Sequence, residues 1–177
     1  MILWIAGMSG SGKTTLAESF IKEIIKKISN VVLLDGDVIR QLYGHDLGYT
    51  EIDRVIQIKR MQNLAKFLER QNILVVVAAL YSDDTLLQDN RNMFDEYFEV
   101  YLNASLELLK SREFKGLYSA ALAGKIKNVV GIDIPWCAPK KPDLIFDMNS
   151  GITTEKMTTI LVKALSDCNL NFAKIYR

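Results

Sequence analysis

Residues Gly7 to Thr14 constrain the fold of this chain more than any other segment. They read Gly-Met-Ser-Gly-Ser-Gly-Lys-Thr, which fits the phosphate-loop pattern G-x-x-x-x-G-K-[ST]. An apolar run at 2–6 precedes the loop and a helical pattern at 13–28 follows it. Glycine permits the positive φ that lets successive backbone N–H groups surround a phosphate. We therefore predict a nucleoside triphosphate site formed by Ser9, Gly10, Ser11, Gly12, Lys13, Thr14 and Thr15.

Two side chains of this loop have chemistry of their own. The ammonium group of Lys13 is expected between the β- and γ-phosphates, and the hydroxyl of Thr14 is expected to ligate Mg²⁺. The helix that begins near Lys13 adds the positive end of its dipole to the same site.

Apolar runs alternate with helical patterns along the rest of the chain. The predicted helices lie at about 13–28, 51–71, 83–95, 104–124 and 153–168. The predicted strands lie at 2–6, 31–34, 73–80, 97–102 and 144–147. The run at 73–80 has no polar alternation, which is typical of a strand buried on both faces of a parallel sheet. The pattern predicts one α/β domain over residues 1–177, with helices on both faces of a mostly parallel five-stranded sheet.

Composition narrows the classes of partner. Lys plus Arg is 22 and Asp plus Glu is 21, so the net charge is +1. Such a balance favours neither nucleic acid nor an acidic membrane as a partner. Two cysteines are too few for a disulfide scaffold, and no apolar stretch approaches the length of a membrane span. We expect a cytoplasmic protein.

A second informative segment follows the second predicted strand. It reads Asp35-Gly36-Asp37-Val38-Ile39-Arg40. Carboxylates that end a strand beside a phosphate loop can hold the water shell of a metal or take a proton from a hydroxyl. Arg40 lies about one turn further on and could hold an anionic acceptor. The alternative is a helix N-cap followed by a solvated arginine. A regulatory GTPase is excluded because the chain has no D-x-x-G motif.

Together these motifs resemble the adenylylsulfate kinase family, P-loop kinases that phosphorylate the ribose 3′-hydroxyl of adenylylsulfate. The resemblance covers nearly the whole chain. Gly7–Thr15 resembles the phosphate loop of the family, and Asp35-Gly36-Asp37 with Arg40 resembles its D-G-D-x-x-R. Further matches are Asp46-Leu47-Gly48-Tyr49, Asp53-Arg54 and, most specifically, residues 98–133, which contain FEVYLNASLELLKSREFKGLY and AGKIKNVVGID.

The resemblance implies a three-layer α/β/α P-loop fold with a mobile lid at about 110–130. It also implies ATP as co-substrate, Mg²⁺ as cofactor and a small nucleotide as acceptor, with a homodimer as the expected assembly. Asp37 would orient or deprotonate the acceptor hydroxyl, Asp35 would support Mg²⁺, and Arg112 would approach the transferred phosphate or the base of ATP. The implied acceptor-binding residues are Asp37, Arg40, Tyr49, Arg54, Gln57, Ala79, Leu80, Lys115 and Val129.

The chain departs from the family pattern around the acceptor. Leu80 replaces a serine, Asp83 a basic residue, Val129 an aromatic residue that stacks on adenine, and Gln57 an asparagine. These departures predict that the acceptor pocket differs while the phosphoryl-transfer groups are kept. Loss of one stacking face should weaken binding of a purine by roughly 1–3 kcal/mol.

Three acceptor hypotheses and one non-catalytic hypothesis follow. The first acceptor, which the resemblance implies together with these departures, is cytidine diphosphoramidate. Its pyrimidine needs less stacking surface, and it occurs in capsule modification. Adenylylsulfate is the alternative. A metabolite such as shikimate or gluconate is disfavoured by Arg40, Arg54 and Lys115. The last hypothesis is a nucleotide-binding regulatory protein without turnover.

Overall fold

The computed structural model describes residues 1–81, 83–112 and 116–168 and contains a five-stranded sheet. Every strand pairs in parallel with its neighbours, in the order β2-β3-β1-β4-β5. The strands are β1 (Ile2–Ala6), β2 (Val31–Asp35), β3 (Leu74–Ala79), β4 (Tyr97–Asn103) and β5 (Leu144–Asp147). The predicted five-stranded α/β architecture is therefore confirmed.

The helices lie on both faces of this sheet. They are α1 (Lys13–Ile24), α2 (Gly36–Leu42), α3 (Glu51–Glu69), α4 (Asp84–Met93), α5 (Leu106–Ser111), α6 (Leu117–Leu122) and α7 (Thr154–Asp167). A short 3₁₀ turn spans Met148–Ser150. No helix within the described ranges has the length and apolar character needed to cross a membrane.

Two helix predictions differ from the structure. Helix α2 occupies residues that the sequence interpretation left without a helix. The single helix predicted at 104–124 is wrong, because α5 ends at Ser111 and α6 begins after Gly116, whose φ of 65° is left-handed. A residue in that conformation cannot belong to a right-handed helix.

The alternating side chains of β1 belong to two apolar clusters. Leu3 and Ile5 pack in a cluster that includes Phe20 of α1 and Leu161 of α7. Trp4, the next residue along the strand, packs in the other cluster, which includes side chains of α3 and α4. Both faces of the sheet are therefore covered, which explains why its strands are apolar without alternation.

The strand order brings three chain segments to one edge of the sheet. The phosphate loop follows β1, Asp35 ends β2, and Leu80 follows β3. Since β3 lies between β1 and β2, these segments are neighbours at the carboxyl ends of the strands. Ligands of open α/β sheets bind at this edge.

Candidate active site

A cavity of about 960 Å³ lies at this edge. Its walls bring together most of the predicted site residues, which come from distant parts of the chain. These are Ser9, Gly10, Gly12, Lys13, Thr14, Thr15, Asp35, Asp37, Arg40, Tyr49, Arg54, Gln57, Ala79, Leu80, Arg112 and Val129. Ser11 is buried beneath the loop and does not line the cavity. Lys115 lies outside the described residues.

The phosphate loop has the backbone that its glycines permit. Gly10 has a φ of 78° and Gly12, the N-cap of α1, a φ of 97°. The loop is closed by a hydrogen bond from the Ser11 N–H to the Met8 carbonyl, 3.2 Å. The same carbonyl accepts a bond from Lys13 Nζ at 2.9 Å. These contacts hold the Lys13 ammonium beside the phosphate loop, where it is expected to contact the phosphates of a nucleotide.

Burial lowers the pKa of Lys13 to about 8, while the carboxylates of Asp35 and Asp37 act in the opposite direction. The charged form is disfavoured because little solvent surrounds the ammonium. The negative charge of a bound polyphosphate would favour the protonated, positively charged form of Lys13.

The carboxylate of Asp35 connects the phosphate loop to α2 through hydrogen bonds. Its Oδ2 accepts a 2.6 Å hydrogen bond from Thr14 Oγ1. Its Oδ1 accepts bonds from the N–H groups of Asp37 at 2.9 Å and Val38 at 3.4 Å, so Asp35 is the N-cap of α2. The interpretation of this segment as a helix N-cap is therefore confirmed for Asp35.

Asp37 differs from Asp35 in its surroundings. Its side chain is exposed at the cavity. Within the described ranges, no group forms a hydrogen bond or ion pair with its carboxylate. An unpaired carboxylate at this position is available to accept a proton from a bound hydroxyl.

Thr14 and Asp35 fit a magnesium site that is shared with a nucleotide. They place a hydroxyl and a carboxylate side by side next to the phosphate loop. The described part of the chain has no cluster of three or more His, Cys, Asp or Glu side chains that could hold a metal without help. Mg²⁺ is usually held by one or two protein oxygens together with substrate phosphates.

Arg40 and Arg54 line the same cavity and are buried, with exposures of 6% and 9%. Arg40 Nη1 donates to the carbonyls of Gly48 at 2.8 Å and Leu47 at 3.3 Å. Arg54 Nε donates to the Tyr49 carbonyl at 3.0 Å, and its Nη2 donates to the Asn128 carbonyl at 2.7 Å. The alternative of a solvated Arg40 is wrong.

The two guanidinium groups share a neighbour. The Tyr49 ring centroid lies 4.8 Å from Cζ of Arg40 and 5.5 Å from Cζ of Arg54. Burial, and then the charge of Arg40, lower the pKa of Arg54. Neither arginine forms an ion pair with a carboxylate of the described residues. Two buried cations that no carboxylate of the described residues neutralises favour a negatively charged ligand at this position.

Gln57 holds the turn between the two aspartates. Its Nε2 donates to the Gly36 carbonyl at 3.1 Å, and its Oε1 accepts from Arg60 at 3.4 Å. Arg60 in turn forms a two-point ion pair with Asp46, at 3.0 and 2.7 Å. The carboxamide therefore links the Asp46 loop to the turn that carries Asp37.

The residues at which the chain departs from the family pattern lie in different parts of the structure. Leu80 lines the cavity, and Tyr81 beside it, which the sequence interpretation did not single out, lines it too. Val129 lines the cavity but is only 5% exposed, because it packs into an apolar cluster. Asp83 accepts a 2.9 Å bond from the Thr85 N–H as the N-cap of α4, so this carboxylate serves the helix and does not line the cavity.

The helices α5 and α6 form a further wall. Arg112, at the end of α5, is exposed and lines the cavity. Tyr118, in α6, is a second residue that the sequence interpretation missed, and its hydroxyl donates to the Ser9 carbonyl at 2.8 Å. The sequence signal for Tyr118 was its place at the end of the K-G-L-Y match to the family. Its hydrogen bond to a loop 109 residues away could be found only from the folded structure.

Comparison with known sequences identifies a family. The sequence profile described as adenylylsulphate kinase matches residues 1–147. The chain is 39% identical over 142 residues to the adenylyl-sulfate kinase of Halothermothrix orenii, which covers 80% of this chain and 77% of the relative. It is 32% identical over 165 residues to the cytidine diphosphoramidate kinase of Campylobacter jejuni, which covers 93% of this chain and 96% of the relative.

The fold has a similar experimental counterpart. The Mycobacterium tuberculosis APS kinase CysC, solved in complex with AMPPNP and APS, superposes with a TM-score of 0.86 at 30% sequence identity. The superposition covers 93% of this chain and 96% of that structure.

Proposed function

Since this chain belongs to the adenylylsulfate kinase family and is an ATP-dependent kinase, we propose that it phosphorylates the ribose 3′-hydroxyl of a nucleotide, with cytidine diphosphoramidate as the acceptor. The observation that carries a nucleotide acceptor is the pair of buried guanidinium groups of Arg40 and Arg54, which have no carboxylate partner among the described residues and line the cavity that also holds Asp37. Such a pair favours a ligand that brings its own anionic groups.

The proposed reaction is in-line phosphoryl transfer. The acceptor oxygen bonds to the γ-phosphorus of ATP, and the bond from that phosphorus to the oxygen of ADP breaks. The hydroxyl proton goes to the carboxylate of Asp37. The Lys13 ammonium and the N–H groups of the loop stabilise the charge on the phosphates. Thr14 and Asp35 would hold Mg²⁺, and the bound metal would supply positive charge to offset the charge that develops on the phosphates.

The acceptor-side wall supports a base other than adenine. Leu80 and Tyr81 line the cavity after β3, and Val129 packs mainly into the core. The Tyr49 ring is 51% exposed and offers one stacking face. A pyrimidine is smaller than a purine, so it needs less stacking surface than adenine. The relative named cytidine diphosphoramidate kinase, matched over 96% of its length, adds support.

Adenylylsulfate is the second candidate acceptor. The relatives named adenylyl-sulfate kinase support it, including one at 39% identity. The same two arginines and the same Asp37 would serve either acceptor, because both compounds have a ribose 3′-hydroxyl and anionic groups beyond the ribose.

Steady-state kinetics with Mg-ATP and each acceptor, followed by ADP release, test this proposal. We expect kcat/KM for cytidine diphosphoramidate to exceed that for adenylylsulfate by more than about tenfold. The reverse preference would make the chain an adenylylsulfate kinase. Turnover with neither compound would contradict a nucleotide acceptor of this kind.

A variant of the acceptor wall sharpens the test. Leu80→Ser removes apolar surface from the cavity, so the ratio of the two kcat/KM values should fall about three- to tenfold toward adenylylsulfate. Leu42→Ser is the matched control, because Leu42 is 73% exposed on α2 and does not line the cavity. Equal ratios in both variants would show that Leu80 does not contact the acceptor.

A further inference from the structure

Tyr118 connects α6 to the phosphate loop. It lies in the first turn of α6, its side chain is 2% exposed, and its hydroxyl donates to the Ser9 carbonyl at 2.8 Å. Both residues line the cavity. A buried phenol aimed at a loop carbonyl constrains the direction of that carbonyl.

The direction of the Ser9 carbonyl determines that of a neighbouring donor. The carbonyl of Ser9 and the N–H of Gly10 belong to one peptide unit, which is trans. In a trans peptide the C=O and N–H point in opposite directions. The Gly10 N–H therefore points away from Tyr118. Among the described residues, no group accepts a hydrogen bond from it, so it is available to a ligand.

Glycine makes this peptide unit easy to rotate. Gly10 has a φ of 78°, and a glycine can adopt positive or negative φ at similar cost. Among the described residues beyond its chain neighbours, only Leu109 Cδ2, at 3.8 Å, lies within 4 Å of the position that a Cβ would occupy there. The conformational freedom of Gly10 leaves the Ser9–Gly10 peptide unit able to rotate, and the hydrogen bond from Tyr118 opposes that rotation.

We propose that Tyr118 is a positioning residue for nucleotide binding. It holds the Ser9 carbonyl so that the Gly10 N–H is directed toward the phosphate groups of ATP. It also ties the phosphate loop to α6, which follows Gly116, another residue of the cavity wall. A donor that is oriented before binding loses less entropy when it meets its phosphate oxygen.

Tyr118→Phe tests this role because it removes the hydroxyl and keeps the ring. A typical net contribution of one hydrogen bond predicts that the Kd for Mg-ADP, measured by isothermal titration calorimetry, rises about 2- to 13-fold. The KM for ATP should rise by the same factor. The KM for the acceptor should change less than about twofold, because this peptide belongs to the phosphate loop and Arg40 and Arg54 are the groups proposed to bind the acceptor.

Tyr101→Phe is the matched control. The Tyr101 hydroxyl is also in a buried residue, bonded to Asn103 at 3.1 Å and to Trp136 at 3.2 Å, and it does not line the cavity. We expect this variant to change the melting temperature by an amount similar to Tyr118→Phe and to leave the Kd for Mg-ADP unaltered.

Two results would overturn the proposal. One is a Kd for Mg-ADP that stays the same in Tyr118→Phe. The other is a rise in the KM for the acceptor as large as that for ATP, which would indicate a general effect on the cavity. The calorimetric measurement needs no acceptor, so the result stands whichever acceptor the wild-type protein phosphorylates.

Discussion

Asp35 and Asp37 are two residues apart and have different surroundings. Asp35 is 9% exposed and accepts hydrogen bonds from Thr14 and from the first turn of α2. Asp37 is exposed to the cavity. The sequence analysis already gave these acids different expected roles, and the geometry adds that Asp35 also caps α2 whereas the carboxylate of Asp37 is exposed at the cavity.

Substitution should separate these roles. Asp37→Asn should lower kcat by about 10²- to 10⁴-fold, because the general base is lost, and should leave the melting temperature nearly unchanged. Asp35→Ala should also lower the melting temperature by roughly 1–8 °C, because it removes the N-cap of α2. Kinetics and thermal denaturation measure the two effects. Near-normal turnover of Asp37→Asn would remove Asp37 from the proposed reaction.

The lowered pKa of Lys13 predicts that kcat/KM for ATP depends on pH. Its pKa in the free protein is lowered to about 8 by burial, so the charged form that attracts phosphate is lost as the pH rises through that value. We therefore expect kcat/KM for ATP, which reports the free enzyme, to fall above about pH 8.

The maximal rate provides the control for this pH profile. At saturating ATP the phosphate charges raise the pKa of Lys13, so kcat should stay level to about pH 9. A kcat/KM for ATP that is level over the same range would show that the free lysine keeps its proton. A parallel fall in kcat would assign the titration to another group.

At the scale of elements, strands were more predictable than helices. Each strand is a short apolar run between polar segments, and the buried sheet makes that run continuous. Helix α2 gave a weaker signal because it has seven residues and begins with glycine. Its start depends on the Asp35 side chain, and its packing depends on β2 and α3.

The contacts between elements were the least predictable part of the site. Arg40 and Arg54 were expected to hold the acceptor, and both do line the cavity. The structure adds that their N–H groups are bonded to backbone carbonyls, one of them 74 residues away at Asn128. Motif spacing specifies which residue types are present, whereas such long-range bonds arise only when the elements pack.

At the scale of the whole molecule, the sheet order assembles the site. β3 lies between β1 and β2, so the loop after β1, the acid at the end of β2 and the wall after β3 meet at one edge. Residues of α3, α5, α6 and the segment 126–130 complete the cavity. Because these parts are far apart in sequence, a nucleotide that contacts them should stabilise the folded chain as a unit.

Thermal denaturation with Mg-ADP tests that coupling. A ligand at one hundred times its Kd adds about 2.7 kcal/mol to the free energy of unfolding, which for a chain of this size raises Tm by about 5 to 11 °C. Chelation of Mg²⁺ should reduce the shift if Thr14 and Asp35 hold the metal beside the phosphates. Lys13→Ala should reduce it as well, whereas Asp37→Asn should keep the full shift because the proposed role of Asp37 is toward the acceptor. An undiminished shift in Lys13→Ala would mean that nucleotide binding does not depend on the Lys13 ammonium.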